Sequence, residues 1–365
     1  MVPMTQRFIR TFTALMEQGV LPDWMVRQGI RSLVRGRANG FLRDSPDEQL
    51  QANLQFLDAM RSAPIALVPD KANQQHYEVP AAFFKCVLGP RMKYSCCFYP
   101  PGAESLAEAE VATLALTCER ADIRDGMKIL ELGRGWGSLT LWMAEHFPAS
   151  HITAVSNAHS QRECIQQKCV ERGIKNITVV TSDMNTFAPS DARFDRVISV
   201  EMFEHMRNWP ELLRRVASWL CADGRLLVHV FCHKTNVYEY IARDETDWMA
   251  REFFTGGIMP SDDLMLHCQD DLVVKKRWRI DGMHYHKTCE AWLENLDWHH
   301  EEIRAIFSET YGAGNAKRWL QRWRIFFMAC SELFAYNRGR EWWVAQYLLK
   351  PRNSRATNPE RGGIR

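Results

Sequence analysis

Short apolar runs and amphipathic segments alternate through the middle of this 365-residue chain. The apolar runs predict buried strands at residues 127–132, 151–156, 177–181, 194–200 and 225–231. The amphipathic segments between several of these runs predict helices at 137–147, 159–172 and 210–220. Buried strands separated by helices are typical of a parallel sheet with helices on both faces, joined by right-handed crossovers. The pattern therefore predicts an α/β fold whose core is a doubly wound sheet.

The segment before this core has a mostly helical pattern. Apolar residues fall at helical spacing within residues 5–60, and a further helix is predicted at 105–121. Residues 62–104 are rich in proline, which disfavours regular structure and leaves room for a short helix near 81–88. We therefore expect an N-terminal helical arm and a cofactor-covering segment at 1–104, followed by the core at 105–232.

The alternation of strands and helices stops after residue 232. The helical pattern predicts that residues 236–266 and 290–338 are largely helical, and the apolar runs at 271–280 and 342–349 predict two last strands. We therefore expect a mostly helical C-terminal cap at 233–349, which also supplies the last strands of the sheet. The polar tail at 350–365 is predicted to be disordered.

Composition and charge are those of a folded chain without a general attraction for nucleic acid. Hydrophobic residues make up 46% and charged residues 25% of the chain, and its net charge is +2. Residues 1–43 are more basic, with seven arginines against one glutamate and one aspartate. We interpret this basic stretch as a solvated helical face; an arm that contacts anionic surfaces is the alternative.

The eleven cysteines are spread along the chain without a C-x-x-C pair. This usage is typical of free thiols in a reducing compartment, and we predict no metal site. The chain begins Met-Val-Pro, unlike a signal peptide, and has no apolar run of 18 residues. We therefore expect a cytoplasmic protein.

The stretch LELGRGWGS, residues 130–138, joins the first core strand to the first core helix. Its glycines at Gly133, Gly135 and Gly137 allow a tight turn and a close approach of the backbone to a ligand. The spacing lacks the third glycine of the dinucleotide fingerprint. With Glu131 in front of it, the stretch resembles the first motif of class I methyltransferases, which bind S-adenosylmethionine.

Polar residues follow the second and third predicted strands. Asn157 and Gln161 come after the second strand, where a dinucleotide enzyme usually has an acidic residue for the ribose. Asp183 and Met184 come after the third strand, where class I methyltransferases contact the adenine. We therefore predict a site for S-adenosyl-L-methionine. Its expected residues are Ser95, Gly133, Gly135, Asn157, Gln161, Asp183, Met184 and Val200.

Several segments occur in an order that resembles the cyclopropane fatty acid synthase superfamily of methyltransferases. They are MKYSCCFYPPGAESLAEAE, LELGRGWGSLTLWMA, SVEMFEHMRNW, LLVHVFCHKT and FFTGGIMPS. The likeness covers about residues 45–349, and more loosely begins at residue 10. Within this superfamily the chain is most similar to the coclaurine N-methyltransferase branch, which methylates nitrogen in isoquinoline alkaloids. The resemblance implies a class I methyltransferase fold, Rossmann-like, with a small amine as substrate.

One position separates the branches of this superfamily. Fatty-acid cyclopropane synthases usually have glycine at the position of Glu201, whereas the N-methyltransferases have glutamate in an E-x-x-E-H pattern. That pattern here reads Glu201, Glu204 and His205. Another feature keeps lipid chemistry open, because the chain retains residues at positions that hold a bicarbonate base in the lipid enzymes. These residues are Cys96, Glu204, His229 and Tyr285.

Arg134 departs from the family pattern, which has a small residue or a cysteine between the first two glycines. We expect its side chain to point into solvent, as an ordinary turn residue. The alternative is a guanidinium that contacts the carboxylate of the cofactor or of an acidic substrate.

The ionisable groups of the E-x-x-E-H pattern follow the fourth predicted strand. At positions i, i+3 and i+4 they would share one face of a helical turn beside the cofactor methyl group. An amine accepts a methyl group through a free lone pair, so an ammonium ion must first lose its proton. We predict that Glu204 and His205 form the base pair, with His205 as the proton acceptor, and that Glu201 holds the substrate ammonium.

Three functions remain open from the sequence. The favoured one is N-methylation of a small aromatic or alkaloid-like amine, in a substrate pocket that includes Tyr77, His229, Phe254 and Tyr285, under an aromatic lid from residues 233–340. The second is methylation or cyclopropanation of unsaturated phospholipid acyl chains, with bicarbonate as base and weak contact with the membrane surface. The third is cofactor binding without methyl transfer. A homodimer is compatible with all three.

Overall fold

A seven-stranded sheet forms the centre of the protein in a computed structural model that describes residues 4–41, 45–67, 79–190, 193–243 and 247–352, with side chains from residue 11. The strands are β1 (Lys128–Leu132), β2 (His151–Ser156), β3 (Ile177–Thr181), β4 (Phe194–Val200), β5 (Leu220–His233), β6 (Tyr238–Glu239), β7 (Ile258–Met259), β8 (Leu272–Ile280) and β9 (Trp342–Pro351). The order in the sheet is β3-β2-β1-β4-β5-β9-β8, and β6 and β7 form a separate pair. Strands β1 to β5 pair in parallel, and β9 runs antiparallel to both β5 and β8.

Helices precede the strands of this sheet along the chain, alternate with them and follow them. They are α1 (Met4–Glu17), α2 (Asp23–Phe41), α3 (Pro46–Ser62), α4 (Ala81–Val87), α5 (Leu106–Arg120), α6 (Ser138–His146), α7 (His159–Arg172), α8 (Trp209–Trp219), α9 (Trp248–Glu252), α10 (Gly282–Trp298), α11 (His300–Tyr311) and α12 (Ala313–Ala335). Local sequence explains where they begin. For example, Ser105 accepts the Glu108 backbone N–H while the Glu108 carboxylate accepts the Ser105 N–H, so that α5 starts from a capping box.

The central strand β1 is buried on both faces, as its apolar sequence predicts. Leu130 and Leu132 pack into one apolar cluster, and Ile129, which points the other way, packs into another. All three side chains are 0% exposed. Burying a side chain of this size stabilises a fold by about 1.5–3 kcal/mol, so this alternation holds helices against both faces of the sheet.

Two predictions about the C-terminal half are wrong. Residues 236–266 are not largely helical: they contain the strand pair β6–β7, the five-residue helix α9 and a short 3-10 helix at Leu264–His267. Gly256, with φ of +77°, turns the chain so that Gly257 accepts a hydrogen bond from Tyr240 and β7 pairs with β6. The predicted tail also starts too early, because β9 runs to Pro351; residues 353–365 lie outside the described part of the chain.

The N-terminal helices dock on the C-terminal helices through buried ion pairs. The Glu17 carboxylate, 4% exposed, accepts hydrogen bonds from Trp248 Nε1 at 2.9 Å and Arg318 Nε at 2.6 Å, and Arg322 lies against it as well. Burial acts to raise the pKa of Glu17, but these donors outweigh it and hold that pKa below its ordinary value. Helix α1 is therefore anchored to α9 and α12.

The basic residues of α2 are also paired. Arg27 binds Glu290 at 2.7 Å and Glu332 at 3.0 Å, and Arg31 binds Glu332 at 2.6 Å. The interpretation of this arm as a solvated basic face is therefore wrong for Arg27, whose side chain is only 20% exposed. These arginines face acidic residues of the same chain.

All eleven cysteines are free thiols, as predicted. Burial raises the pKa of several, for example to about 12 for Cys118, so these thiols stay protonated and unreactive at neutral pH. Among the described residues, no helix is both long enough and apolar enough to cross a membrane.

Candidate active site

The candidate site lies where the strand order changes direction, between β1 and β4. The chain moves from β1 outward to β2 and β3, and then returns to the other side of β1 with β4 and β5. The loops after β1 and β4 therefore diverge and leave a crevice at the carboxyl ends of the strands, which is where ligands bind in sheets of this kind. The glycine loop follows β1, and Glu201 follows β4.

The glycines after β1 are required by the shape of the loop. Gly133 and Gly137 have φ of +85° and +83°, and a Cβ at these positions would lie 2.9 Å from Met202 and 2.6 Å from Ile165. Gly135, with φ of +50°, would place its Cβ with nothing within 4 Å. The first and third glycines thus permit close packing of the protein, and the second leaves open space for a ligand.

This loop forms one wall of a cavity, which we call the glycine-loop cavity. All the residues predicted to bind the cofactor line it: Ser95, Gly133, Gly135, Asn157, Gln161, Asp183, Met184 and Val200. The sequence analysis missed Lys93, Trp136 and the backbone at Thr255–Gly257, which line it too. The pair of glycines in the FFTGGIMPS segment was the available signal for the last of these. That these residues contact a cofactor remains a prediction.

Buried polar atoms in this cavity fit a nucleoside ligand. Among the described residues, Trp136 Nε1, Ser138 Oγ and Gln161 Nε2 are buried without a hydrogen-bond partner in the protein. An unsatisfied buried donor costs about 1–3 kcal/mol, so such groups usually have a ligand or water to bind. Asp183 adds a carboxylate that accepts the Asn185 N–H at 2.8 Å through one oxygen. The donor set suits a ligand rich in ribose, adenine and carboxylate acceptors.

The prediction for Arg134 is wrong. Its side chain is 2% exposed and points under the loop rather than into solvent. It donates to the carbonyls of Val180, Ser156 at 3.2 Å and Ala158 at 2.8 Å, which lie at the ends of β3 and β2. Burial lowers the pKa of Arg134 to about 10, which still leaves it charged. Arg134 therefore ties the glycine loop to the neighbouring strand ends.

Replacing Arg134 with methionine should lower the free energy of unfolding by about 2–4 kcal/mol, because the orphaned buried carbonyls each cost about 1–3 kcal/mol. Urea unfolding followed by circular dichroism measures this difference. The matched control is Arg162→Met on the exposed face of α7, which should stay within about 0.5 kcal/mol. Equal stability of both variants would contradict the structural role of Arg134.

A second and larger cavity, the aromatic cavity, adjoins the first. Its volume is about 810 Å³, within the range of sites for drug-sized molecules. Phe254 and Tyr285 line it, as predicted, whereas Tyr77 lies outside the described residues. The sequence analysis missed its other aromatic walls and the contribution of α1 and α2. These missed residues include Phe12, Tyr94, Phe231, Tyr238, Tyr240, Trp248 and Phe334.

The two cavities share three residues, Tyr94, Glu201 and His205. A group bound in one cavity can therefore meet a group bound in the other only at this junction. Glu204 lines the aromatic cavity beside it. All three residues of the E-x-x-E-H pattern thus face the place where two ligands would come together.

Glu201 is the centre of a buried hydrogen-bond network. Its Oε1 accepts the Cys96 backbone N–H at 2.9 Å and lies 3.3 Å from His229 Nε2, and its Oε2 accepts the Tyr285 hydroxyl at 2.7 Å. Burial acts to raise the pKa of Glu201, but these partners, with His229 first, hold it below the ordinary carboxyl value. Three of the four residues at the expected bicarbonate positions thus surround the Glu201 carboxylate, and Glu204 is not among its partners.

His229 does not line either cavity, contrary to the prediction that it forms part of the substrate pocket. It is 1% exposed and lies behind Glu201 on β5. Arg120 donates to Gln346 Oε1 at 2.6 Å, so the Gln346 amide N–H faces His229 Nδ1 at 2.9 Å. This leaves the proton of His229 on Nε2, where it is donated to Glu201. Burial lowers the pKa of His229, so the imidazole is a neutral donor.

Glu201 does not share a helical turn with Glu204 and His205, as the spacing predicted. Only Phe203–His205 form a short 3-10 helix, and Glu201 precedes it with φ of +46°, which is unusual for a residue with a side chain. Such backbone strain is commonly found at functional sites. The left-handed conformation directs the Glu201 carboxylate toward Cys96 and Tyr285.

Glu204 has a different environment from Glu201. It is 1% exposed, and its Oε2 is buried without a hydrogen-bond partner among the described residues. Burial, together with the charge of Glu201, raises the pKa of Glu204 well above its ordinary value. Two neighbouring carboxyl groups therefore have pKa values shifted in opposite directions, an arrangement typical of acid–base sites. The ring of His205 stacks at an angle on Phe254, with centroids 4.7 Å apart.

Replacing Glu204 with glutamine should change the free energy of unfolding, relative to the wild type, in a way that depends on pH. The variant should gain more stability over the wild type at pH 8 than at pH 5. Because the pKa of Glu204 is raised on folding, its contribution to stability is lost as pH rises above the ordinary carboxyl value toward the raised value, by about 1.4 kcal/mol per pH unit. Thermal unfolding across this pH range measures the difference. Glu211→Gln is the control: a hydrogen bond from Arg214 lowers the pKa of Glu211 to about 2, so this carboxyl is ionised in both the folded and the unfolded state above pH 5, and its replacement should give a difference that does not change between pH 5 and pH 8. A pH-independent difference for Glu204→Gln would contradict the assignment.

Known proteins of one family are similar to this chain. The family model described as mycolic acid cyclopropane synthetase matches residues 68–341. The chain is 37% identical to the (S)-coclaurine N-methyltransferase of Thalictrum flavum subsp. glaucum, over 92% of this chain and 94% of that protein. It is 28% identical to the cyclopropane-fatty-acyl-phospholipid synthase of Escherichia coli K12, over 70% of this chain and 66% of that one. A crystal structure of coclaurine N-methyltransferase bound to N-methylheliamine and SAH has a TM-score of 0.90 and 34% identity, over 94% of this chain and 99% of that chain.

Proposed function

The chain belongs to the mycolic acid cyclopropane synthetase family, and we propose that it transfers a methyl group from S-adenosyl-L-methionine to the nitrogen of a small aromatic or alkaloid-like amine. It is a methyltransferase with the class I fold. The observation that carries the proposal is the Glu201 carboxylate, held by three donors at the junction of the two cavities.

The charge of the aromatic cavity supports a cationic or basic acceptor. Glu201 is held as an anion by its donors, and Asp247 adds a carboxylate to the lining, against Arg37; Glu239 lines the cavity too but is paired with Arg207. An ammonium ion would be attracted by these carboxylates, and aromatic faces stabilise a cation by cation–π contact. The cavity therefore suits a flat amine better than an anionic headgroup.

The residues at the junction can prepare the amine for transfer. When bound, S-adenosyl-L-methionine supplies an electrophilic methyl group on its sulfonium. Glu201 attracts and orients the ammonium form of the substrate, and His205, next to Glu204, accepts its proton and leaves a free lone pair. Buried aromatic side chains exclude water from the junction, which strengthens these electrostatic interactions. The proton ends on His205 before it passes to solvent.

The lipid function has less support from the same residues. The positions that match a bicarbonate base, Cys96, His229 and Tyr285, donate to or face the side chain of Glu201 itself. A carboxylate that belongs to the chain leaves no need for an external anion there. Glycine at this position, as in the lipid enzymes, would leave that space empty.

A screen with isotopically labelled S-adenosylmethionine tests the proposal. Primary, secondary and tertiary amines of the isoquinoline type are compared with vesicles of unsaturated phospholipid, with and without bicarbonate, and products are identified by mass. We expect N-methylated amines and no dependence on bicarbonate. Bicarbonate-stimulated modification of the phospholipid, with no amine product, would overturn the proposal in favour of the lipid function.

A further inference from the structure

Lys93 is a buried cation in the wall of the glycine-loop cavity. Lys93 lies in the segment that follows α4, two residues before Ser95, and is 4% exposed. The ammonium donates to Ser95 Oγ at 2.5 Å and to the Cys96 carbonyl at 2.7 Å. The Lys93 backbone N–H is fixed by Glu110 at 3.0 Å. The side chain is therefore held in place before any ligand arrives.

Among the described residues, this ammonium has hydrogen-bond partners but no carboxylate at ion-pair distance. The Glu201 and Glu110 carboxylates interact with its charge from further away, whereas the buried Arg196 guanidinium, for example, pairs with Asp122 at 2.9 Å. A buried charge without a partner of opposite sign is costly, so buried lysines are normally paired. An ammonium also has three N–H donors, of which two are used. The missing partner is expected to be an anion in the cavity.

We propose that the Lys93 ammonium binds the α-carboxylate at the methionine end of the cofactor, together with the Ser95 hydroxyl. This inference rests on the proposed function, because it assumes S-adenosylmethionine in the glycine-loop cavity. Since Ser95 Oγ accepts a proton from Lys93, the hydroxyl hydrogen of Ser95 remains to be donated to a second acceptor. Two donors on neighbouring residues then converge on one carboxylate.

The other charges of the cavity favour a single carboxylate. Arg134, another cation in the lining, directs both of its terminal nitrogens to carbonyls at the ends of β2 and β3, and among the described residues only its Nε is left without a partner. Glu201 and Asp183 also line the cavity, and their negative charge disfavours a phosphate or another polyanion. A zwitterionic amino-acid group matches one free cation among carboxylates. Lys93 thus discriminates the full cofactor from derivatives without the acid.

Calorimetric binding of two ligands tests this inference without measuring activity. The ligands are S-adenosylhomocysteine and its decarboxylated derivative, which keeps the amine and the nucleoside. Lys93→Met should weaken binding of S-adenosylhomocysteine by about 10- to 100-fold, as expected for loss of a charged hydrogen bond, and change binding of the decarboxylated ligand by less than about twofold. Lys93→Arg should retain most of the discrimination. The control Lys128→Met removes the same charge at the exposed start of β1 and should change neither affinity.

Equal losses for both ligands in Lys93→Met would overturn the inference and leave Lys93 as a support for the Ser95–Cys96 backbone. If Lys93→Met does not fold, the same two ligands are measured with the wild type and with Lys93→Arg. A wild type that binds both ligands with equal affinity also overturns the inference. Failure of the proposed function is distinguishable: a protein that discriminates the two ligands but methylates no amine keeps the Lys93 assignment and loses the amine substrate.

Discussion

Glu201→Gly should lower kcat/KM for an amine by about 10²- to 10³-fold, because truncating one member of a buried, hydrogen-bonded charge pair costs about 2–5 kcal/mol. Most of the loss is expected in KM, since Glu201 holds the ammonium in both the ground state and the transition state. The variant should fold well, because glycine adopts the φ of +46° at this position without strain. Steady-state kinetics with a methyl-acceptor amine measure both parameters.

Glu201→Gly also opens a space lined by donors, and a small carboxylate should restore part of the activity. The Cys96 N–H, the Tyr285 hydroxyl and His229 Nε2 that now hold Glu201 would bind formate or bicarbonate in its place. Glu201→Gln is the matched control, because its amide fills the space and should not be rescued. Normal amine turnover by both variants, with or without formate, would show that Glu201 does not hold the substrate.

His205→Ala should reduce kcat for the amine by about 10²- to 10⁴-fold if this imidazole accepts the proton. Raising the pH should recover part of the loss, because more of the substrate then arrives as free amine. The affinity for S-adenosylhomocysteine should hardly change. Rates measured across the pH range, with calorimetry for the cofactor product, check all three statements.

A surface histidine provides the control for His205. His300→Ala removes a half-exposed imidazole, 52% exposed, far along the chain on α11, and should leave kcat unchanged. A His205→Ala variant with normal kcat, combined with an inactive Glu204→Gln variant, would move the role of proton acceptor to Glu204. Glu204 lines the aromatic cavity with His205, and this position makes its carboxyl the second candidate in the ionised form.

The local patterns of the sequence were sufficient for the core of the fold. The period of apolar residues predicted β2 at His151–Ser156, β3 at Ile177–Thr181 and β4 at Phe194–Val200 with correct bounds. Strands β2 and β4 are largely buried, and β3 at the edge of the sheet is half-buried, so all three stand out as apolar runs between polar segments. The same reasoning was wrong for residues 236–266, because the turn at Gly256 and the pairing of β6 with β7 outweigh the helical spacing of their apolar residues.

The candidate site was predictable as a set of residues but not as an arrangement. The glycine turn and the residues after the strands brought eight predicted cofactor residues to one cavity, because carboxyl ends of parallel strands meet at the same edge. His229 was assigned to the substrate pocket because its segment, HVFCHKT, resembles the N-methyltransferases. Its side chain instead points behind Glu201, a direction that depends on Gln346 of β9, more than a hundred residues away.

The sequence by itself determined the sheet, the glycine loop, the E-x-x-E-H residues and the family, since each is encoded in short-range patterns of burial, turn geometry and residue type. Only the tertiary structure decided that Arg134 is buried under its loop, that Lys93 has no carboxylate of the described residues at ion-pair distance, and that Glu201 takes a left-handed backbone conformation. These properties depend on which groups from distant segments surround a side chain. The charge state, the burial and the hydrogen bonds of a buried group depend on all the residues that surround it in space. A local sequence pattern does not include those residues.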